Sequence, residues 1–192
     1  MTPTSTSYTI PASLSGYGAN QAINPSELNL WRVIKKNEDG TVDVVSEYVS
    51  STPVYFRGRT GYPNFAGTLN TIAAQYTNEK YVSSTRHMVA ADHAIVDQVY
   101  ETMVGYTPSG GAANYWLANT GTQWSGPVWV FYQGYLVNTS GVITKTNIYS
   151  LYEDKLKDEY TAGCTIRPIL TLKSTVELEG GDGTSDSPYM LT

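Results

Sequence analysis

Hydrophobic and polar residues alternate with a period of two in the first third of the chain. Residues 30–34 and 41–49 are rich in β-branched side chains, and a polar stretch that ends in Asp39 and Gly40 separates them. Two alternating segments joined by an Asp-Gly turn are typical of a β-hairpin, because glycine accepts the positive φ that such turns need. The sequence therefore predicts a hairpin in this region.

Apolar residues then recur at helical spacing in two places. Phe65, Leu69 and Ile72 fall at i, i+4 and i+7, which predicts a helix over residues 64–77. The asparagine at the start of this segment follows a proline and is the expected N-cap. A second apolar stripe predicts a helix over residues 91–103.

The second half of the chain has the pattern of strands and turns. The predicted strands are residues 115–118, 128–137, 141–149 and 165–173, and the polar residues 150–163 are expected to form a loop. Both faces of the strand over 128–137 carry aromatic side chains, with Val128, Val130, Tyr132, Gly134 and Leu136 on one face and Trp129, Phe131, Gln133, Tyr135 and Val137 on the other.

A chain of 192 residues fits one domain. Residues 1–24 are rich in turn-forming residues and are expected to be a flexible or edge-strand segment, and residues 25–192 are expected to form the single domain. A hairpin, two helices and several later strands indicate an α+β fold.

Composition excludes several classes of protein. The formal net charge of -5 argues against a nucleic-acid partner, which needs a basic surface. No apolar run approaches the ~20 residues of a membrane span, so no direct membrane insertion is expected. No signal-peptide pattern is visible, and a leader or anchor of the natural protein would lie outside this sequence.

Residues for catalysis are scarce. His87 and His93 lie six positions apart, which does not fit a zinc-binding helix pair, and both are expected at the surface or at a helix cap. The single cysteine, Cys164, excludes an internal disulfide and is expected to be a small buried hydrophobic residue. No phosphate-binding loop, dinucleotide fingerprint or nucleophile elbow is present. We therefore expect no enzyme, no cofactor and no metal site.

Aromatic residues are concentrated in one window. Residues 106–160 hold 11 of the 23 aromatic residues, and the chain has 16 Tyr against 3 Phe. Tyrosine needs a partner for its hydroxyl when it is buried, so such an excess favours rings with one edge in water. Rigid rings beside short polar side chains are typical of recognition surfaces. The alternative is that these rings form a second layer of core.

Several segments, taken in their order along the chain, carry a resemblance to a known family. The most specific are Tyr-Trp-Leu-Ala at 115–118 and Arg-Pro-Ile-Leu-Thr-Leu at 167–172. Weaker ones are Leu-Trp-Arg-Val-Ile at 30–34, the Asp-Gly hairpin segment at 39–46, the helical segment at 69–73 and the turn-rich tail at 181–189. In these segments the chain is similar to C-type-lectin-like domains of the formylglycine-generating-enzyme-like branch, which includes variable bacterial and phage proteins diversified by retroelements. The resemblance implies two helices packed on short, mostly antiparallel twisted sheets.

The resemblance implies that residues 119–163 carry changeable ligand contacts on a loop-rich face between two core strands, and we place the binding face at residues 119–160. The ligand-binding residues expected on this basis are Thr120, Trp124, Trp129, Gln133, Tyr135, Lys145, Asn147, Tyr149, Tyr152 and Asp154. The cysteine pair of the formylglycine-forming enzymes and the calcium-binding signatures of sugar-binding animal lectins are absent from the sequence.

These observations predict a non-enzymatic ligand-recognition domain, extracellular and displayed on a bacterial surface or a phage particle. Its expected partner is an unidentified protein or glycan on another cell or host. The alternative is a structural subunit of a pilus-like, tail or capsid decoration assembly that uses the same face as a subunit interface. Whether a cation binds the tail at Asp182 and Asp186 is left open.

Overall fold

A computed structural model of the chain describes residues 1–100, 105–181, 187 and 189–192. The helices are α1 (Ala12–Ser15), α2 (Gly58–Ala73) and α3 (Ala90–Val99), with single 3-10 turns at Pro25–Glu27 and Ala74–Tyr76. The strands of the first half are β1 (Tyr8–Ile10), β2 (Gln21–Ile23), β3 (Trp31–Lys36), β4 (Val42–Ser46), β5 (Val54–Arg57) and β6 (Val82–His87). Those of the second half are β7 (Tyr115–Ser125), β8 (Trp129–Val137), β9 (Ile143–Tyr152), β10 (Lys155–Glu159), β11 (Thr161–Cys164), β12 (Pro168–Leu172), β13 (Leu178–Glu179) and β14 (Met190–Leu191).

Two four-stranded sheets organise the fold. One has the order β3-β4-β12-β6 and the other the order β10-β9-β8-β7, and all their pairings are antiparallel. Three two-stranded pairs, β1-β2, β5-β11 and β13-β14, complete the architecture. The fold is therefore mixed α+β with mostly antiparallel sheets and few helices, which confirms the predicted class at that level.

The main core lies between α2 and the sheets. Phe65, Leu69 and Ile72 are fully buried on the helical face that the spacing predicted. The rings of Phe65 and Trp116 meet edge to face at 5.1 Å between centroids, and the Trp116 Nε1 donates to the Val54 carbonyl at 2.8 Å. This bond satisfies the polar edge of a large buried ring, as burial of tryptophan requires.

A second core cluster lies beneath α3. Val96 of α3 packs there with Tyr115, Leu117 and Val137 from the starting end of β7 and the closing end of β8. The interior strand β12 contributes to both clusters, with Leu170 in the first and Ile169 in the second. Alternation explains this arrangement, because successive side chains of a strand point to opposite faces.

The predicted hairpin is confirmed by the pairing of β3 with β4, with Gly40 at a φ of 83° in the turn. The predicted start of the first helix is wrong. The helix α2 begins at Gly58, six residues before the expected start, and Asn64 lies within it with its Nδ2 donating to the Thr60 carbonyl. A free backbone N–H in the first turn of α2 is bonded by a residue far away in the sequence, because the Glu159 carboxylate accepts a hydrogen bond from the Arg59 N–H. A partner 100 residues away is invisible to local sequence patterns.

The predicted loop over residues 150–163 is also wrong. These residues complete β9 and form β10 and most of β11. Every residue of β10 is exposed, so the strand has no apolar face and shows no alternation in the sequence. Hence the window 119–160 is mostly strand, and the expectation of a loop-rich ligand face is incorrect.

The helix predicted over residues 91–103 is α3, described as far as Val99, and residues 101–103 lie outside the described residues. The four predicted strands correspond to β7, β8, β9 and β12. Residues 1–24 form β1, α1 and β2, with Ile10 fully buried in the main core. The tail carboxylates Asp182 and Asp186 lie outside the described residues.

Candidate ligand-binding face

The two faces of the sheet β10-β9-β8-β7 differ in what packs on them, because α2 lies against only one of them. We call the side of the sheet that faces α2 the inner face. Its residues are Trp116, Thr120, Thr122 and Trp124 of β7, Val130, Tyr132, Gly134 and Leu136 of β8, and Tyr149 and Leu151 of β9. The opposite side is the outer face. Its residues are Gln123 of β7, Trp129, Phe131, Gln133 and Tyr135 of β8, Lys145, Asn147, Ser150 and Tyr152 of β9, and Lys155 and Asp158 of β10. The alternation along β8 predicted this division.

Close contacts with α2 fix the inner face. At Gly134 a Cβ would lie 2.8 Å from the Phe65 ring, so only glycine fits between the sheet and the helix. Further along, the rings of Tyr132 and Tyr149 stack at 4.2 Å, and both meet Tyr62 of α2 edge to face. Burial raises the pKa of Tyr149 to about 12. These rings are therefore core.

Three aromatic rings cluster on the outer face. Trp129 lies 5.9 Å from Phe131 with nearly parallel ring planes, and 5.1 Å from Tyr152 with the planes tilted. None of the three belongs to a hydrophobic core cluster of the described residues, and Tyr152 is 39% exposed. They form an apolar platform on a rigid sheet.

A row of amide side chains crosses the three strands beside this platform. Gln133 donates from its Nε2 to Gln123 Oε1 at 3.2 Å and to Asn147 Oδ1 at 2.9 Å. Gln133 itself is buried, while Gln123 is exposed and Asn147 is half-buried. The outer amides therefore keep hydrogen-bonding capacity for a ligand, and the central one holds them in register.

Two buried polar atoms on this face lack a hydrogen-bond partner among the described residues: Gln133 Oε1 and Ser150 Oγ. Ser150 lies across the strand pair from Phe131 and is fully buried. Unsatisfied buried polar groups are costly in a folded protein, so these two atoms are candidates for bonding to a ligand.

The outer face ends where the second core begins. Tyr135 packs against that core, and Lys145 places its Nζ 4.9 Å from the Tyr135 ring centroid, within the range of a cation–π contact. At the other end, Glu153 and Asp154 form a two-residue turn between β9 and β10 with φ of 48° and 60°. Positive φ at both positions matches the tight hairpin turns that suit twisted strands.

The structure brings six of the ten predicted ligand-binding residues together on the outer face: Trp129, Gln133, Tyr135, Lys145, Asn147 and Tyr152. Thr120 and Trp124 point to the opposite side. Tyr149 also points inward and is only 7% exposed, so it is unavailable to a ligand. Asp154 lies exposed at the hairpin tip, beyond the platform.

The prediction of site residues omitted Phe131, Gln123 and Ser150. The alternation of side chains along β8 places Phe131 on the same face as Trp129. This signal in the sequence was sufficient to include Phe131 among the predicted site residues. The positions on β7 and β9 depend on strand register and on the irregularities in pairing next to Gln133 and after Leu117, which the sequence does not reveal.

Both histidines are buried, so the prediction of surface or capping positions is wrong. The His93 ring bridges the Tyr115 hydroxyl at 2.8 Å and the Gly141 carbonyl at 2.9 Å, which ties α3 to the β8–β9 connection. The His87 ring contacts the Met88 carbonyl and the Arg167 N–H, and burial lowers its pKa to about 4. Each ring has a structural role.

Cys164 is buried in the main core, as predicted, and burial raises the pKa of its thiol to about 12. A thiol with such a pKa stays protonated and is a poor nucleophile. Among the described residues, no group of three or more His, Cys, Asp or Glu side chains is placed to hold a metal ion.

No known protein family, curated protein or solved structure matches the chain. None of the helices in the described part of the chain is long and apolar enough to cross a membrane.

Proposed function

We propose that the chain is a non-enzymatic ligand-recognition domain that binds through the outer face. The observation that carries this proposal is the platform of Trp129, Phe131 and Tyr152, which stays outside every described core cluster. Trp129 and Phe131 are half-buried and Tyr152 is exposed, so each ring keeps part of its surface in water. A group of such rings marks an interaction site, because covering that surface gains free energy when a partner binds.

The chemistry of the face favours a ligand with little charge. Rings supply apolar contact, and the amides of Gln123 and Asn147 offer both donors and acceptors. The charged side chains of the face are few and of both signs: Lys145 of β9, and Lys155 and Asp158 of β10 at the edge. A protein loop or a glycan on another cell fits these groups. The antiparallel sheet positions them before binding, which lowers the entropic cost of association.

We further propose that the fold is C-type-lectin-like, of the formylglycine-generating-enzyme-like branch, and that the domain is displayed on a bacterial surface or a phage particle. The two most specific matching segments support this. Residues 115–117 are fully buried at the start of β7, and β12 is one of the two interior strands of the other sheet. The matching segments therefore belong to the buried part of the two sheets, and the residues of the candidate face lie between these segments in the sequence.

The test is binding of the fluorescently labelled protein to a panel of bacterial and animal cells. We expect the double substitution Trp129→Ala and Tyr152→Ala to remove binding while the unfolding midpoint changes little, since both rings lie outside the core. Tyr106→Ala is the matched control, because Tyr106 is also an exposed ring but lies outside this sheet. Equal binding by the double variant would refute the proposed face.

Treating the bound cells separately with protease and with periodate assigns the ligand class. Loss of binding after protease alone indicates a protein ligand, and loss after periodate alone indicates a glycan. If the unmodified protein binds no cell but forms oligomers that the double substitution dissociates, the outer face is a subunit interface. That result would refute the proposed ligand recognition and would support the alternative, a structural subunit of an assembly.

A further inference from the structure

The two outer edges of the sheet β10-β9-β8-β7 differ in how they are protected. An unpaired edge presents free backbone N–H and C=O groups and can add another strand, and proteins usually block this with charged residues or coverage. The edge strand β10 carries Lys155, Lys157, Asp158 and Glu159 within five residues. Charged side chains at this density prevent another sheet from joining the edge.

The opposite edge, β7, has no such protection over residues 120–125. This segment, Thr-Gly-Thr-Gln-Trp-Ser, contains neither a charged residue nor a proline. Five of its six residues are exposed, and Trp124 is 64% exposed, the largest fraction among the exposed large hydrophobic residues described. An uncharged, exposed strand edge that carries a solvent-exposed tryptophan side chain is suited to pairing with an added strand.

The first part of β7 is satisfied by other groups. The Trp116 N–H donates to the Thr165 carbonyl, and the Ala118 N–H donates to the Met88 carbonyl. Beyond Asn119, the only bond from outside the sheet among the described residues is that of the Tyr62 hydroxyl to the Gly121 carbonyl. The free edge is therefore confined to residues 120–125.

We infer that residues 120–125 of β7 pair antiparallel with the same segment of a second copy of the chain. Two four-stranded sheets then become one eight-stranded sheet around a twofold axis. This inference does not depend on the proposed ligand-binding function, since it uses the edge of the sheet and not the platform.

The segment is complementary to itself in one register. When Thr122 lies opposite Thr122 of the second copy, Trp124 faces Thr120 and Gln123 faces Gly121. A ring opposite a β-branched residue is a favourable cross-strand pair, and glycine leaves room for the longer Gln123 side chain. No like charges meet, although the whole chain carries a net charge of -5. A second copy therefore fits this edge without electrostatic repulsion.

The test is sedimentation velocity of the unmodified protein from about 1 μM to about 1 mM. We expect the mass to rise from the 21.0 kDa of the monomer toward twice that value. Thr122→Lys and Thr122→Glu each place like charges face to face across the twofold axis and should weaken the dimer roughly ten-fold or more. An equal mixture of the two variants should dimerise again, because opposite charges then face each other.

Lys157→Glu on β10 is the matched control and should leave dimerisation unchanged. Trp124→Ser is a second variant, expected to weaken the dimer without introducing charge. A monomer throughout the concentration range overturns the inference, as does a dimer insensitive to both Thr122 substitutions, or a mixture that stays monomeric. Dissociation by the Trp129 and Tyr152 substitutions in place of the Thr122 ones would assign the contact to the outer face.

Discussion

The two faces of one sheet use the same kinds of residue for opposite purposes. On the inner face, Tyr132 and Tyr149 stack on each other and are closed off by Tyr62 of α2. On the outer face, Trp129 and Tyr152 touch each other but no core cluster of the described residues. The number of aromatic residues in a strand therefore does not show which of its faces is buried. The face that packs against α2 is the buried one.

Four predictions test this contrast, ordered by their expected effect on stability. The largest concerns the inner face. Tyr149→Ala removes a stacked ring and leaves a cavity against Tyr62, so it should lower the free energy of unfolding by about 3 kcal/mol or more. Urea denaturation measures this loss. Tyr149→Phe keeps the ring and serves as control, with a loss of about 1 kcal/mol or less; an equal loss in both variants would contradict the packing argument.

The second prediction concerns acid. Burial lowers the pKa of His87 to about 4 from 6.5, so the unfolded chain binds a proton more readily than the folded one between these values. Stability contributed by the neutral ring is present above pH 6.5 and falls as pH drops, by about 3 kcal/mol at pH 4.

Denaturation curves at several pH values measure this effect. His87→Gln cannot titrate, and its stability should lose this component of the pH dependence. The outer face holds no histidine, so its ligand binding should not show the same titration while the protein remains folded. An unchanged pH slope in the variant would show that other groups cause the acid sensitivity.

The third prediction concerns the boundary between the faces. Gln133→Met has a similar volume but removes the donor that joins Gln123 and Asn147. Because Gln133 Oε1 already lacks a partner among the described residues, the stability loss should be about 1 kcal/mol or less. Ligand affinity should fall, since the amides lose their fixed positions. A large stability loss with unchanged affinity would make this row a structural network only.

The smallest effect on stability is expected from Tyr152→Ala. This ring is 39% exposed and lies outside the described core clusters, so the free energy of unfolding should change by roughly 0.5 kcal/mol or less. Thermal unfolding measured beside Tyr149→Ala compares the two faces directly. Similar losses in the two variants would remove the distinction between them.

The sequence was sufficient for elements whose signal is local. The hairpin of β3 and β4 was predicted from alternation and its Asp-Gly turn, and the buried face of α2 from the spacing of Phe65, Leu69 and Ile72. It was insufficient where a distant partner decides the outcome. The start of α2 depends on Glu159, and β10 is a strand only because it pairs with β9.

The candidate site divides in the same way. Alternation along β8 placed Trp129, Gln133 and Tyr135 on one face, as the structure has them. Position within an aromatic-rich window did not show that Tyr149 points inward, because that depends on pairing with Tyr132 across an irregular register. Sequence proximity identified the right sheet, and three-dimensional pairing was needed to choose its side.

The glycine at the centre of β8 has a consequence for how this surface can change. Gly134 admits no side chain against Phe65, while its neighbours Gln133 and Tyr135 point the other way. Substitutions at Trp129, Phe131 and Gln133 therefore alter the outer face, whereas substitutions at the even-numbered positions 130–136 alter the packing toward α2. Val137, at the end of the strand, belongs to the second core. Residues of the proposed binding face and residues of the core thus alternate along most of β8, so a single substitution at Trp129 or Phe131 changes that face while the packing against α2 is kept.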